Sequence, residues 1–232
     1  MKILGIDESG RGPVCGPMTI CGYLIDEKDL PVLRELGVRD SKLLTAEKRS
    51  DLAPKLKKLA DDYVVLKITA EEIDKLRTVS NLNAIEVERM QHIINLLNPD
   101  KVIIDAPEVN TAVFSRKIMA KVKKKNLRLI SENFADKNHL EVGAASIIAK
   151  TERDKDIKKL HEKHGFFGSG YASDEITINF LKDWIKRNKE FPSFVRKSWF
   201  TAQRIREEKE QTSISPFLLR KESPLGSKKN IK

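Results

Sequence analysis

The order of strand-like and helix-like segments is the feature that most constrains the fold of this chain. β-branched and other apolar residues fill residues 2–7, 18–26 and 62–69, and turn-forming residues flank these runs. Two further apolar runs, 101–106 and 127–134, are separated by a segment typical of a helix. Three strands followed by alternating helices and strands predict an α/β domain, with a mixed five-stranded sheet flanked by helices.

Helices are predicted between and after these strands. Thr45 precedes a segment with apolar residues at helical spacing, and residues 81–97 form an amphipathic pattern. A basic helix is expected over about 109–125 and a long helix over about 138–163. Asp174, at the end of a glycine-containing loop, is placed to cap a further helix. The C-terminal part of the domain is therefore predicted to be helical.

The helical pattern decays after about Trp199, where charged residues with Ser and Pro dominate the sequence. We predict one folded domain over residues 1–205, which includes the C-terminal helices, and a charged, flexible tail over residues 206–232. The tail is expected to begin as a fraying helix.

Charge and hydropathy limit the classes of partner. The chain of 232 residues has 44 Lys and Arg against 34 Asp and Glu, a net charge of +10 that favours nucleic acid as partner. Without a signal-peptide pattern or an apolar run of the roughly 20 residues that a membrane helix needs, we expect a cytoplasmic protein that binds no membrane. Cys15 and Cys21 form no CxxC pair and are expected to be small buried side chains.

Acidic residues lie at the ends of three predicted strands. Asp7 and Glu8 end the first strand, Asp105 ends the fourth and Asp136 follows the fifth. If these strands are parallel neighbours, their carboxyl ends share one edge of the sheet, and Asp7, Asp105 and Asp136 meet there. Because side chains alternate along a strand, Glu8 joins them only if the strand stops or twists near Gly10.

Carboxylates that meet in this way repel one another, and a divalent cation relieves the repulsion. Oxygen-only ligands favour Mg²⁺ or Mn²⁺, and two such ions activate a water and stabilise the departing oxygen of a phosphodiester. With the positive charge of the chain, the acids predict metal-dependent hydrolysis of nucleic acid. The alternatives are solvated acids without a metal, and a non-catalytic RNA/DNA-binding or clamp-bound adaptor.

The glycines in GIDESGRGPVCGP (residues 5–17) resemble a dinucleotide-binding loop only in part. Pro13 and a strand-like segment follow, in place of the helix N-terminus that would receive a pyrophosphate. The Gly-Lys-Ser/Thr ending of a P-loop is also missing from this segment. The residues alone therefore indicate a turn in which glycines adopt positive φ.

Five separated motifs together resemble the ribonuclease HII family, in its archaeal type. They are GIDESGRGPVCGP (5–17), VRDSKLLT (38–45), VIIDA (102–106), AASIIAKTERD (144–154) and GSGYASD (168–174). The resemblance extends from residue 1 to about residue 205. Ribonuclease HIII is an alternative within the same enzyme class, but that family carries an extra N-terminal domain, and here the candidate catalytic strand starts at residue 2.

The resemblance implies a ribonuclease H-like fold and a metal-dependent endonuclease that hydrolyses the RNA strand of RNA/DNA hybrids. It also implies cleavage 5′ of ribonucleotides embedded in duplex DNA by two-metal-ion catalysis, leaving 3′-hydroxyl and 5′-phosphate ends, in ribonucleotide excision repair and DNA replication. We expect a monomer with Mg²⁺ or Mn²⁺ as cofactor. The catalytic metal ligands implied are Asp7, Glu8, Asp105 and Asp136.

The resemblance also implies substrate contacts. Gly10, Arg11 and Gly12 resemble the segment that reads the ribose, where glycines let the backbone approach the 2′-hydroxyl. Tyr171 resembles the aromatic residue that packs on the sugar at an RNA–DNA junction, although a packed tyrosine in a glycine loop is the alternative. The implied phosphate contacts are Arg39, Ser41 and Lys42.

A short motif in the tail, QTSISPFL (211–218), resembles the peptide that docks on sliding clamps. A short turn would present Ile214 and Phe217 as an apolar plug, and Gln211 would hydrogen-bond a neighbouring pocket. The alternative is a tail that folds back onto the domain. The implied clamp-binding residues are Gln211, Ile214, Phe217 and Leu218.

Overall fold

The computed structural model describes residues 1–38 and 44–219, with side chains up to Gln211, and shows a five-stranded sheet with helices on both faces. The strands are β1 (Lys2–Ser9), β2 (Met18–Asp26), β3 (Asp62–Ile68), β4 (Lys101–Asp105) and β5 (Arg128–Glu132). The helices are α1 (Leu30–Glu35), α2 (Ala46–Leu59), α3 (Ala70–Arg77), α4 (Leu82–Leu97), α5 (Thr111–Met119), α6 (Ala135–Asn138), α7 (Leu140–His164), α8 (Glu175–Arg187) and α9 (Phe200–Leu219).

β1 lies at the centre of the sheet, whose strand order is β3-β2-β1-β4-β5. β2 pairs antiparallel with both β1 and β3, whereas β4 pairs parallel with both β1 and β5. In the parallel half, Ile6 is opposite Ile104 and Asp105 is opposite Glu132. The carboxyl ends of β1, β4 and β5 therefore form one edge, and the predicted mixed five-stranded sheet is confirmed.

The alternation of side chains along β1 divides the hydrophobic core into two layers. Leu4 and Ile6 belong to the layer that α4 and α5 cover. Ile3 packs on the opposite face, together with Ile103 of β4 and Val142 of α7. By the same alternation Asp7 faces the α7 layer, while Glu8 faces the α4 layer.

The C-terminal helices form a third hydrophobic cluster against the segment that follows β1. Cys15 packs in this cluster with Phe167, Phe194 and residues of α8 and α9. Val195 forms an isolated antiparallel bridge with Cys15, which ties the two ends of the domain together. Cys15 and Cys21 are both buried and free, as the sequence predicts.

The long helices follow the sequence prediction, but three short helices, α1, α3 and α6, were not expected. α2 begins after Thr45 and α8 after Asp174, and each of these side chains accepts a backbone hydrogen bond in the first turn. A capping box formed by Thr69 and Glu72 starts α3, and the T-x-x-E spacing is a sequence signal that could have revealed this helix. The other two short helices lack a side-chain cap.

The predicted helix over 109–125 is shorter in the structure, because side chains of α4 accept and donate hydrogen bonds beyond Met119. Asn95 Nδ2 donates to the carbonyl of Lys121 at 3.0 Å, and Asn95 Oδ1 accepts from Lys123 N at 2.9 Å. These contacts replace the helical bonds that a longer α5 would make.

The C-terminal segment differs from the expectation at two points. α9 continues from Phe200 through residue 206 to Leu219, and the backbone of 211–218 is helical where we expected a short turn. Ion pairs one turn apart, such as Arg206–Glu210 at 3.3 Å, stabilise the helical form of this charged segment. The tail boundary at 206 stays a prediction. Within the part of the chain that the structure describes, every helix is too short or too polar to span a lipid bilayer.

Substitution of Gly5 tests the contact between β1 and α7. A Cβ atom at Gly5 would overlap the backbone of Glu141 and Val142, whereas a Cβ at Gly22 would meet a side-chain methyl of Ile93. We expect Gly5→Ala to lower the free energy of unfolding by about 3 kcal/mol, because a helix backbone must move. The matched change Gly22→Ala should cost about 1 kcal/mol, because a side chain can adjust. Urea denaturation measures both, and equal losses would contradict this prediction.

Candidate metal centre and nucleic-acid-binding loop

Three carboxylates meet at the carboxyl edge of the parallel strands. One oxygen each of Asp7, Asp105 and Asp136 lies within 4.8 Å of the others. Asp7 and Asp105 come from adjacent strands, and Asp136 comes from α6, which follows β5. Asp7 is 4% exposed and Asp136 is 3% exposed, so two of the three acids are removed from water. The structure thus brings together the three acids that the sequence placed at one edge.

The segment between β5 and α7 positions Asp136. Phe134 adopts a left-handed conformation with φ 62°, which reverses the chain into the short helix α6. The next residue, Ala135, donates its N–H to Asp105 Oδ1 at 3.1 Å. Asn133 Nδ2 donates to two carbonyls of the segment after β4, at 2.8 and 3.0 Å. These bonds hold Asp136 beside Asp105.

Two residues of α7 act on Asp7 from the facing layer. Ser146 hydrogen-bonds the Asp7 carboxylate, and Lys150 Nζ donates to Ser146 Oγ at 2.8 Å. Burial, reinforced by the charge of Asp105, raises the pKa of Asp7 to about 7, although Ser146 and Lys150 oppose this shift. Sequence reasoning assigned no role to Ser146 or Lys150. Their spacing of four residues on a helix next to the acids was the available signal.

Glu8 lies outside the group formed by Asp7, Asp105 and Asp136. β1 continues to Ser9, so the strand does not stop before Glu8 and its side chain points to the α4 face. Burial and the charges of Asp7 and Glu86 raise the pKa of Glu8. Its Oε2 is buried and accepts no hydrogen bond from the described residues. The role of Glu8 as a fourth metal ligand stays a prediction.

The loop that follows β1 is held from behind by one buried arginine. Arg196 is fully buried, and its guanidinium donates to the carbonyls of Gly10 at 2.5 Å, Arg11 at 2.9 Å and Gly16 at 3.1 Å. Trp199 Nε1 donates to the carbonyl of Gly12 at 3.1 Å. Gly10 has φ 83°, a conformation that favours glycine. With its carbonyls bound on the inner side, the loop is fixed for recognition through its outer side.

The side chain of Arg11 is directed to α4. It forms an ion pair with Glu86, which is fully buried, and donates to Asn83 Oδ1 at 2.5 Å. The guanidinium of Arg11 is therefore part of the support of the loop, in which Gly10 is buried and Gly12 is exposed.

Tyr171 lies beside this loop. A Cβ at Gly12 would be 3.7 Å from Tyr171 Cε1, so the ring is in contact distance of the Gly12 backbone. Val14 N donates to the carbonyl of Gly170 at 2.8 Å, which anchors the Tyr171 loop to the segment after β1. Tyr171 is 41% exposed, so its ring is not a core side chain. Arg153 stacks on the ring, with 5.6 Å between its Cζ and the ring centroid.

Several predicted contact residues lack a structural description. Arg39, Ser41 and Lys42, the predicted phosphate contacts, lie outside the described residues. Gln211 is exposed on α9. Ile214, Phe217 and Leu218 lie on the helical backbone of α9, and their side chains are outside the described part.

The donor set of the acid cluster fits a hard divalent cation. All three groups are carboxylates, and burial, followed by the charge of Asp105, raises the pKa of Asp7, an unfavourable arrangement that a bound cation would relieve. A ribonuclease H-like sheet that carries such a cluster beside a glycine loop and an exposed tyrosine defines a metal-dependent nuclease.

Comparison with known proteins identifies the family. The family model of ribonuclease HII matches residues 4–202. Ribonuclease HII of Methanothrix thermoacetophila is 44% identical over 207 residues, which cover 89% of this chain and 98% of that protein. The crystal structure of ribonuclease H2 from Pyrococcus horikoshii superposes with a TM-score of 0.86 at 42% identity, covering 91% of this chain and 100% of that one. A complex of PCNA with ribonuclease HII from Archaeoglobus fulgidus contains a chain with a TM-score of 0.80 at 40% identity, covering 88% and 96%.

The chain belongs to the ribonuclease HII family, and its relatives of archaeal origin confirm the predicted type. It is a metal-dependent endoribonuclease of ribonuclease H type 2. The alternative of a non-catalytic adaptor is therefore not supported.

The acid cluster makes the stability of the metal-free protein depend on pH. The pKa of Asp7 is about 7 in the folded protein and 3.8 for a free side chain. Between these values the folded state holds a proton that the unfolded chain has released, so stability falls as pH rises through this window. We expect Asp7→Asn, with chelator present, to raise the free energy of unfolding by about 2 kcal/mol at pH 8 and to have no such effect near pH 4.

Urea denaturation at several pH values measures this difference. Asp51→Asn, a change at an exposed acid of α2, is the matched control and should have little effect at any pH. A stability gain of Asp7→Asn that persisted unchanged at pH 4 would contradict the role given to repulsion.

Proposed function

We propose that the enzyme hydrolyses the RNA strand of RNA/DNA hybrids and cuts 5′ of ribonucleotides embedded in duplex DNA, leaving 3′-hydroxyl and 5′-phosphate ends. The observation that carries this proposal is the position of the acid cluster directly before the Gly10–Gly12 loop and Tyr171. β1 carries Asp7 and leads directly into the loop. A ribose read by the loop would therefore lie next to the reacting phosphodiester.

The backbone of the loop supplies the discrimination between RNA and DNA. The 2′-hydroxyl is the group that distinguishes the two sugars, and a backbone amide can donate to it only where no side chain intervenes. Arg196 and Trp199 donate to the carbonyls of this loop from its inner side, which leaves the exposed backbone at Gly12 for the sugar. The exposed ring of Tyr171 offers an apolar face to the adjoining sugar.

Asp7, Asp105 and Asp136 would hold a divalent cation, and Glu8 would contribute to a second. When bound, two such ions supply an activated water and stabilise the departing oxygen. Mg²⁺ or Mn²⁺ fits the oxygen-only donor set. Ser146 and Lys150 orient the Asp7 carboxylate toward its partners, and Lys150 adds a positive charge beside the site. Ribonucleotide excision repair and DNA replication are the processes that such a cleavage serves.

Removal of one carboxylate should separate cleavage from binding. We expect Asp7→Asn to lower the rate of cleavage by more than about 100-fold, beyond the effect typical of a residue that only supports a metal ligand. Binding of an uncleaved hybrid should change little, because the loop and Tyr171 are intact. The assay is cleavage of a labelled duplex with one ribonucleotide, with Mg²⁺ or chelator, and the products are sequenced.

Asp51→Asn again serves as the control and should cleave like the parent enzyme. Full activity of Asp7→Asn with Mg²⁺ would overturn the metal-dependent mechanism, and cleavage 3′ of the ribonucleotide would overturn the proposed end chemistry.

The C-terminal part of the chain is proposed to bind a sliding clamp. The relative from Archaeoglobus fulgidus was solved in complex with PCNA. In this chain the motif Q-x-x-I-x-x-F-L at 211–218 resembles a clamp-docking peptide, with Leu218 in place of the commoner second aromatic residue. Residues 206–232 would act as the docking tail of a monomeric catalytic domain over residues 1–205. The backbone of the motif is helical, which places Ile214, Phe217 and Leu218 within one turn of one another.

A retention experiment on immobilised clamp tests this interaction. We expect Phe217→Ala to reduce retention at least tenfold, because the loss of a buried aromatic anchor commonly costs 2 kcal/mol or more. Phe200→Ala, at an exposed phenylalanine of the same helix outside the motif, should be retained like the parent. Equal retention of all three proteins would dispose of the clamp proposal.

A further inference from the structure

An open cavity of about 570 Å³ lies beside Tyr171, and the proposed function gives this cavity no role. α7 forms much of its wall, and the cavity extends from Ser9 at the end of β1 to Ser169 in the loop before α8. Its basic lining residues are Arg49, Lys150 and Arg153. The cavity therefore extends from the end of β1, the strand that carries Asp7, to Tyr171, with basic side chains in its wall.

Arg153 is the unusual member of this lining. The residue is 6% exposed, yet its Nε and Nη2 atoms have no hydrogen-bond partner among the described residues. Its side chain lies directly behind Gly10, where an added Cβ would be 2.6 Å from Arg153 Cδ and Nε. A buried guanidinium whose N–H groups lack acceptors destabilises a folded protein, because these groups lose water, and the contact with the Tyr171 ring offsets only part of that loss.

The groups around Arg153 add positive charge and do not neutralise the charge of its guanidinium. Both arginines lie at Gly10: Arg196 donates to its carbonyl, and Arg153 lies where a Cβ of Gly10 would be. Burial, followed by the charge of Arg153, lowers the pKa of Arg196 to about 10. Among the described residues Arg153 forms no ion pair, and the acid of the cavity, Asp154, is paired with Arg49 at 3.1 Å.

We propose that this cavity is a binding site for one backbone phosphate of the cleaved strand, adjacent to the nucleotide whose sugar contacts Tyr171, with Arg153 as its main ligand. Lys150 supplies additional positive charge, and the Ser9 side chain offers a hydroxyl group at one end of the cavity. Arginine suits a phosphate because its planar fork donates two parallel hydrogen bonds. The inference rests on the proposed function and extends it, because this contact would set which linkage of the bound strand lies at the acid cluster.

The test asks whether Arg153 and one particular phosphate of the substrate contribute to the same contact. Binding is measured with chelator present, to a duplex containing one ribonucleotide, and each linkage of that strand is replaced in turn by a neutral methylphosphonate. We expect the parent enzyme to lose about tenfold in affinity at one linkage near the ribonucleotide, as for a charge-assisted hydrogen bond. Arg153→Met should lose about tenfold on the natural duplex and show no further loss at that linkage.

Salt dependence and thermal melting exclude a purely structural role. Arg153→Met should reduce the slope of log affinity against log salt by about 0.9, the value for one phosphate contact, whereas Arg153→Lys should retain the slope. The melting temperature of Arg153→Met without nucleic acid should equal or exceed that of the parent, because an unsatisfied buried charge is removed. Arg128→Gln is the matched control and should leave affinity unchanged. Arg128 is the first residue of β5, at the end of this strand away from the acid cluster.

The proposal would be overturned if Arg153→Met lost further affinity at every methylphosphonate linkage that weakens the parent enzyme. A clearly lowered melting temperature of Arg153→Met would also overturn it. These measurements need neither metal nor cleavage. Failure of the proposed function would appear separately, as a parent enzyme that binds but does not cut with Mg²⁺.

Discussion

The contact between β1 and α7 at Gly5 is the constraint on which the site depends. Because Gly5 has no side chain, the backbone of α7 at Glu141 and Val142 packs directly on the central strand. The helix then passes Asp7 closely enough for Ser146 to reach its carboxylate. α7 also begins two residues after α6, the helix that carries Asp136. A single close approach therefore sets the position of the acids and of the groups that oppose their repulsion.

Like charges are concentrated in two places on either side of the loop after β1. Carboxylates gather at the end of the parallel strands, where burial and repulsion raise the pKa of Asp7. Guanidinium groups of Arg153 and Arg196 gather behind Gly10. Each arrangement is unfavourable for the protein alone, and each would become favourable with a ligand of opposite charge, a metal cation in the first case and, as proposed above, a phosphate in the second. The enzyme thereby gives up some stability in favour of binding.

The loop between these two groups is supported from distant parts of the chain. Arg196 and Trp199 come from the segment before α9, while Glu86 and Asn83 of α4 hold Arg11. The segment between α8 and α9 therefore supports the loop that is proposed to read the ribose. The C-terminal helices themselves pack on Cys15, in the segment directly after this loop.

Local sequence was sufficient for the strands, the long helices and the three aspartates that meet. Apolar runs ending in acids require only the pairing of parallel strands to bring Asp7, Asp105 and Asp136 to one edge. The motifs were also sufficient to identify the family, because five of them occur in the order that the family shows, which chance rarely produces. Short helices such as α1 and α6 were not predictable, because they lack side-chain caps and depend on tertiary contacts.

The sequence by itself determined the sheet, the acid cluster and the family, because each depends on residue order along single strands and motifs. Only the tertiary structure decided that Glu8 faces α4, that the Arg11 side chain supports the loop, and that Arg196 and Arg153 lie behind it. Nothing in the local pattern distinguishes these two arginines from the other cations of a chain with 44 Lys and Arg. Their roles arise from burial and from partners more than 140 residues away, and burial against distant partners is the quantity that a linear sequence does not display.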